Sequence, residues 1–233
     1  MFVMPFVIAV DFALRLPGMA TTPLPLLGTT PAPSVESAVL AELNRARTDP
    51  AAFARTLRDT RGQYRGNLLA PPGADVTYLT QEGVAPVDEA IAFVDGEAPR
   101  AALAPATVLS AAAADHQAEQ RGDGTVGHAG ADGSTPADRV RRRGGDIYVG
   151  ELITYGSTDP AAIVRQLVVD DGVADRGHRR LLFDASLRYA GVACGSHPVY
   201  RYMCVVTVGR TPDGQPLRRM AKGGTDSGTP NRS

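Results

Sequence analysis

Three dipeptides constrain what this chain can fold into more than any other local feature. Asp49-Pro50, Thr135-Pro136 and Asp159-Pro160 each set a capping side chain directly before a proline. Proline in the first turn of a helix sacrifices no hydrogen bond, and the Asp or Thr oxygen accepts from an amide left free there. The residues that follow keep helical spacing. Phe53 and Leu57 lie four apart after the first start, and Ile163, Val164, Leu167 and Val168 follow the third. After Thr135, Asp138 falls in the first turn and Gly144 ends the segment. Ser34 caps a further helix with Val39, Leu43 and Ala46 on one stripe. An alanine-rich helix (LSAAAADHQAEQ) runs from near Pro105 to about Arg121, with Gly122 as its stop.

Strands are fewer. Ile147 to Thr154 (IYVGELIT) is β-branched and bounded by glycine. Arg188–Cys194 and Tyr200–Val208 flank a Gly-Ser-His-Pro turn and read as a hairpin. Helices first, a strand between helices and a closing hairpin predict a mixed α/β (α+β) sandwich with a small, mainly antiparallel sheet. Residues 60–104 give no readable pattern beyond one helix around Val87–Val94.

At 233 residues, with 43% hydrophobic and 21% charged, the chain fits one well-filled domain plus tails. Phe2–Val10 is apolar apart from Pro5, far short of the roughly 20 residues that span a bilayer and close to the length of a signal-peptide core. No basic residue precedes it and Asp11 interrupts it, so the competing reading is a leader or a mis-assigned start. The expected division is a signal peptide over 1–20, a linker over 21–33, the folded domain over 34–210 and a disordered tail over 211–233. No other segment reads as a stable membrane span. Basic and acidic residues nearly balance, 24 against 25, which excludes the electrostatic footprint of a nucleic-acid binder. Tryptophan is absent and aromatics make up 6%, which argues against a stacking platform.

Four histidines remain to be weighed, because an imidazole binds metal or moves a proton near neutral pH. His128 lies between glycines in GHAGADGSTP, and His178 follows Gly177 in DDGVADRGHRRLLF. Glu151 sits inside the apolar strand, where a carboxylate is costly without a partner. A histidine is a natural partner. Such a set makes a metal site with open positions, an acid–base pair, or a structural polar network. His116 is read as structural, at the surface or core edge, and His197 as exposed in the hairpin turn. Arg139, Arg141, Arg142 and Arg143 read as a solvated helix end that complements the helix dipole, or as a contact for a phosphate or lipid headgroup. No Gly-x-Ser-x-Gly elbow and no cysteine beside a base supports a serine or cysteine hydrolase.

At these residues the chain resembles the CAP superfamily of cysteine-rich secretory, antigen 5 and pathogenesis-related proteins, in its bacterial branch. The matching stretches, in order, are LNRARTDPAAFA (43–54), LSAAAADHQAEQRGDGTVGHAGADGSTPADR (109–139), GELITYG (150–156), GHRRLLF (177–183) and GVACGSHPVYRYMCVVTVG (191–209). The resemblance implies a three-layer α–β–α sandwich with a central cleft and a tetrad of two histidines and two acids. His128, Glu151 and His178 match three members. For the fourth, Asp170, Asp171 and Asp175 compete, and Asp171 is chosen. The resemblance also implies zinc or another divalent cation on His128 and His178. Two departures stand out: Gly-Glu-Asn becomes Gly150-Glu151-Leu152, and the family's disulfides reduce to the single pair Cys194–Cys204. These two cysteines fall in opposite arms of the hairpin.

The expected function is an exported protein, secreted or periplasmic, whose His/acid cleft binds a divalent metal and a small ligand, lipid or extracellular polymer. The alternatives are a metal-assisted or acid–base hydrolase using the same residues, and an interaction domain with a buried polar network.

Overall fold

The computed structural model describes residues 32–73 and 77–217. The apolar leader, most of the linker and residues 218–233 of the predicted tail lie outside the described residues.

The capped starts build the helices. Ser34 caps α1 (Val35–Thr48), and its side chain accepts from the Ser37 amide. Asp49 does the same for α2 (Pro50–Arg61), accepting from Ala52. Helix α3 (Ala85–Asp95) lies where one was expected, and α4 (Thr107–Asp123) runs two residues past the predicted end at Arg121. Gly122 stays helical, and the left-handed residue that ends α4 is Gly124, at φ 74°. Thr135 and Asp138 form a reciprocal capping box on α5 (Pro136–Arg142), and Asp159 caps α6 (Pro160–Val169). A short helix not expected from the sequence, α7 (Gly177–Leu182), carries His178.

The main sheet has the order β4-β6-β7-β5, from β4 (Ala104–Pro105), β5 (Val149–Tyr155), β6 (Tyr189–His197) and β7 (Arg201–Gly209). Only the β4–β6 pairing is parallel. The predicted hairpin is β6–β7, where Cys194 lies opposite Cys204 and the two are joined by a disulfide. Alternation along the strands produces the three layers. Leu152, Cys204, Val206 and Val208 pack towards α1, α2, α3, α6 and α7. Ile153, Met203 and Val205 face α4. The sandwich is therefore α–β–α. The approach of α4 to β6 is close: a Cβ added at Gly191 would lie 2.0 Å from the Ser110 nitrogen. Only glycine fits there.

Polar groups inside this core tie loops to helices. Arg47 of α1 is fully buried and donates to the carbonyls of Ala101, Leu182, Asp184 and Leu187. Burial lowers its pKa to about 10.

The segment that was unreadable in the sequence forms a second, three-stranded antiparallel sheet of very short strands: β1 (Tyr64–Arg65), β2 (Leu68–Leu69) and β3 (Tyr78–Leu79). Past Gly209 the chain turns back. The carbonyls of Asp213 and Gly214 accept from the amides of Asp146 and Tyr148, and Gly214 is buried. The first residues of the segment read as a tail thus close the start of β5.

Candidate functional site

Two histidine–carboxylate pairs face each other where β5, the α4–α5 loop and the α6–α7 region meet. In the first, His128 Nδ1 donates to Glu151 Oε1 at 2.9 Å. Glu151 projects from β5, and its side chain is only 1% exposed. Its compensating charge is Arg139 of α5, itself 2% exposed, whose Nη2 reaches both Glu151 oxygens at 2.9 and 3.1 Å. The same guanidinium donates to the carbonyls of His128 and Ser134, so one cation fixes both the acid and the loop carrying the histidine. This corrects the reading of Arg139 as part of a solvated helix end. Arg142 and Arg143 do sit at the surface, paired with Asp132 and Asp115.

In the second pair, His178 Nδ1 donates to Asp170 Oδ1 at 2.6 Å. Asp170 ends α6 in the left-handed region at φ 59°, a conformation Asp tolerates better than most side chains. There its other oxygen accepts the backbone amides of His178 and Arg179 at the start of α7. The acid that pairs with His178 is thus Asp170 and not Asp171. Asp171, one residue into the turn, points away and accepts the amides of Gln81 and Glu82 at 2.7 and 2.8 Å. Asp175 is exposed and pairs with Arg180.

The two rings lie 6.0 Å apart, centroid to centroid. Both Nδ1 atoms are held by carboxylates, which leaves Nε2 as the lone-pair nitrogen of each neutral imidazole. With Zn–N of about 2.0–2.1 Å, two rings ligating one tetrahedral ion through Nε2 have centroids about 5 Å apart, so the donor set suits a single divalent cation once the rings draw slightly closer. A carboxylate behind each ring is also the usual way a ligating histidine is oriented. Among the described residues, no three His, Cys, Asp or Glu side chains group around one metal position. The protein would supply two ligands and leave the rest open.

The remaining histidines serve the scaffold. His116 is fully buried, not at the surface, and its Nε2 donates to the Gly127 carbonyl at 2.8 Å. Gln120 donates to the same oxygen. The Gly127 amide donates to the Tyr155 hydroxyl, which donates in turn to Gln120. The residue before His128 is therefore held from both sides. His197 is also buried, contrary to its expected exposure. Its Nδ1 accepts the amides of Val199 and Tyr200, and its Nε2 donates to the Thr125 carbonyl. Leu152, where the resemblance expects an amide side chain, is fully buried in the core.

A cleft of about 660 Å³ adjoins the site and includes His178 and Asp170 in its wall. The small β1–β3 sheet forms one side of it, while β5, α6 and the β6–β7 turn contribute the other. Behind the cleft, the segment after β3 is tied to the α6–α7 loop. Glu82 accepts from the Gly172 amide and from Arg176, and Arg176 also bonds Glu89. Arg176 and the Gly172 amide hold the Glu82 carboxyl down at about 2.

The family model described as CAP, the cysteine-rich secretory protein family, matches residues 40–208. Among solved structures, the chain is similar to an extracellular protein containing an SCP domain from Bacillus anthracis strain Ames, at 21% identity and a TM-score of 0.41. That match covers 48% of this chain and 35% of the other. No match was found among curated proteins.

Proposed function

This chain belongs to the cysteine-rich secretory protein (CAP) family, and we propose that it is a binding module whose paired histidines hold a divalent cation beside a ligand cleft. The observation that carries this reading is the mirrored arrangement of the two pairs. Each imidazole has Nδ1 fixed to a buried carboxylate, and the two rings stand 6.0 Å apart, a small inward shift from sharing one ion. A purely structural network would have no use for a His128 side chain that is 49% exposed. When bound, the cation would supply a Lewis-acid point for an oxygen of the ligand. His128 and His178 would hold it, and Glu151, Asp170 and Arg139 would keep those rings oriented.

Ligand count weighs towards binding over hydrolysis. Catalytic zinc sites ordinarily draw three ligands from the protein, and here the two acids are committed to Nδ1 atoms. Export is part of the same proposal, supported by the Cys194–Cys204 disulfide, which suits an oxidising compartment.

Calorimetric zinc titration of the chain beside its His128→Ala/His178→Ala variant tests the reading, with circular dichroism confirming that both are folded. The expected result is saturable binding to the parent that is lost in the variant. Equal binding by both, or by neither, would refute it.

A further inference from the structure

The low aromatic content argued against a stacking platform, yet the fold gathers four of the chain's seven tyrosines, Tyr64, Tyr78, Tyr155 and Tyr200, around one cleft. They come from β1, β3, β5 and the β6–β7 turn, so both sides of the cleft carry aromatic faces. Tyr155 is fixed: its hydroxyl bonds Gln120 and the Gly127 amide, and its ring packs against His197 and Tyr200 at centroid distances of 5.3 and 5.2 Å, the three rings forming one cluster. Tyr78 and Tyr200 are 44% and 47% exposed. Rigid amphipathic rings of this kind give contact area at little entropic cost.

The same cleft also carries polar side chains without protein partners. Among the described residues, the side chains of Gln81, Arg165 and Gln166 line the cleft and make no hydrogen bond. They offer amide donors, amide acceptors and a guanidinium fork. We propose that this cleft binds a glycan strand, laid against the tyrosines with its hydroxyls paired to Gln81, Arg165 and Gln166. The proposal rests on the binding-module reading and names its ligand class. The volume of about 660 Å³ lies within the range of small-molecule clefts, about 300–1,000 Å³.

The same features count against other ligands. An acyl chain would cover the two amides and the guanidinium and leave them unpaired, at a desolvation cost. A nucleic-acid strand would meet Asp159 and Asp171 against the single arginine of the lining, Arg165. An added peptide strand needs an open ladder of some length; β5 is buried from Glu151 to Thr154, and the other edges in the wall, β1 and β3, offer two residues each.

The test is a glycan array carrying neutral and acidic wall, plant and animal oligosaccharides. Its hits are titrated against the full chain by tyrosine fluorescence, which no tryptophan obscures. A pool of random heptapeptides and phosphatidylcholine–cholesterol vesicles are run alongside. The proposal expects an oligosaccharide hit that perturbs the tyrosine signal. It also expects at least a tenfold weaker Kd in Tyr200→Ala and in Tyr78→Ala, and a smaller loss in Gln166→Ala, with circular dichroism unchanged. No hit on the array would overturn it, as would a hit whose affinity survives both tyrosine substitutions, or binding of peptides or vesicles alone. The outcome is separable from the metal reading. Tyr200→Ala and Tyr78→Ala should retain zinc binding, and a parent chain that binds zinc but no glycan would sink only the ligand class.

Discussion

At the scale of single residues, the site depends on buried charges that hold exposed rings. Arg139 is the residue whose role was least visible in the sequence. It stands in a run of arginines, and nothing in the run distinguishes the one that turns inward beside Val140. Its replacement by alanine would leave Glu151 buried without a cation, a change that typically costs about 3–5 kcal/mol. Chemical denaturation of Arg139→Ala should show a loss of that order, and Arg139→Lys should recover only part of it, because a point charge cannot reproduce the shared contacts. A loss under about 1 kcal/mol would remove Arg139 from the account. The two adjacent aspartates offer a sharper contrast. Asp170→Asn should weaken zinc binding by about 10- to 100-fold, as loss of a carboxylate behind a ligating histidine commonly does. Asp171→Asn should leave it within about threefold. Calorimetry on both variants decides whether the acid is assigned correctly. Sequence reading could not separate these neighbours, since the choice depends on which residue takes the left-handed position ending α6. His197 failed for a related reason: its partner carbonyl, Thr125, lies 72 positions away.

At the scale of elements, local chemistry explains what was legible. The starts of α2, α5 and α6 were readable because a cap and a proline act within one turn. The hairpin β6–β7 was readable because its arms are apolar, but its turn falls at Pro198–Tyr200, since Gly195, Ser196 and His197 continue β6. The β1–β3 sheet was not, because two-residue strands carry no periodicity and are set by what they pack against. The same holds for α7, six residues long, whose start is organised by the Asp170 carboxylate and not by a local cap. The tie between the segment after β3 and the α6–α7 loop leads to a pH prediction. Glu82 has its carboxyl lowered from 4.5 to about 2 in the folded chain, chiefly by Arg176. The stability it contributes is complete above about pH 4.5 and is lost as the pH falls towards 2. Glu82→Gln should therefore melt below the parent at pH 6, with the gap in Tm closing as the pH drops through that window. Melting curves that stay parallel from pH 6 to pH 2 would show that the Arg176 contact does not form in solution.

At the scale of the whole molecule, the order of elements carried the architecture. Helices, an isolated strand and a final hairpin become an α–β–α sandwich because each strand alternates core residues between two helical layers. His128, Glu151 and His178, singled out from the same ordered stretches, lie together in the fold. The cleft could not be read in advance, since its walls come from parts of the chain more than a hundred residues apart. The central claim is that these parts bring His128 and His178 together as one site for one ion. Zinc titration of the parent beside His128→Ala and His178→Ala, taken singly, tests this most directly. A joint site predicts one ion per chain in the parent and at least a hundredfold loss of affinity in each single variant. If either variant alone kept nearly the parent's affinity, the two histidines would not share an ion, and the account of a bridged site would be wrong.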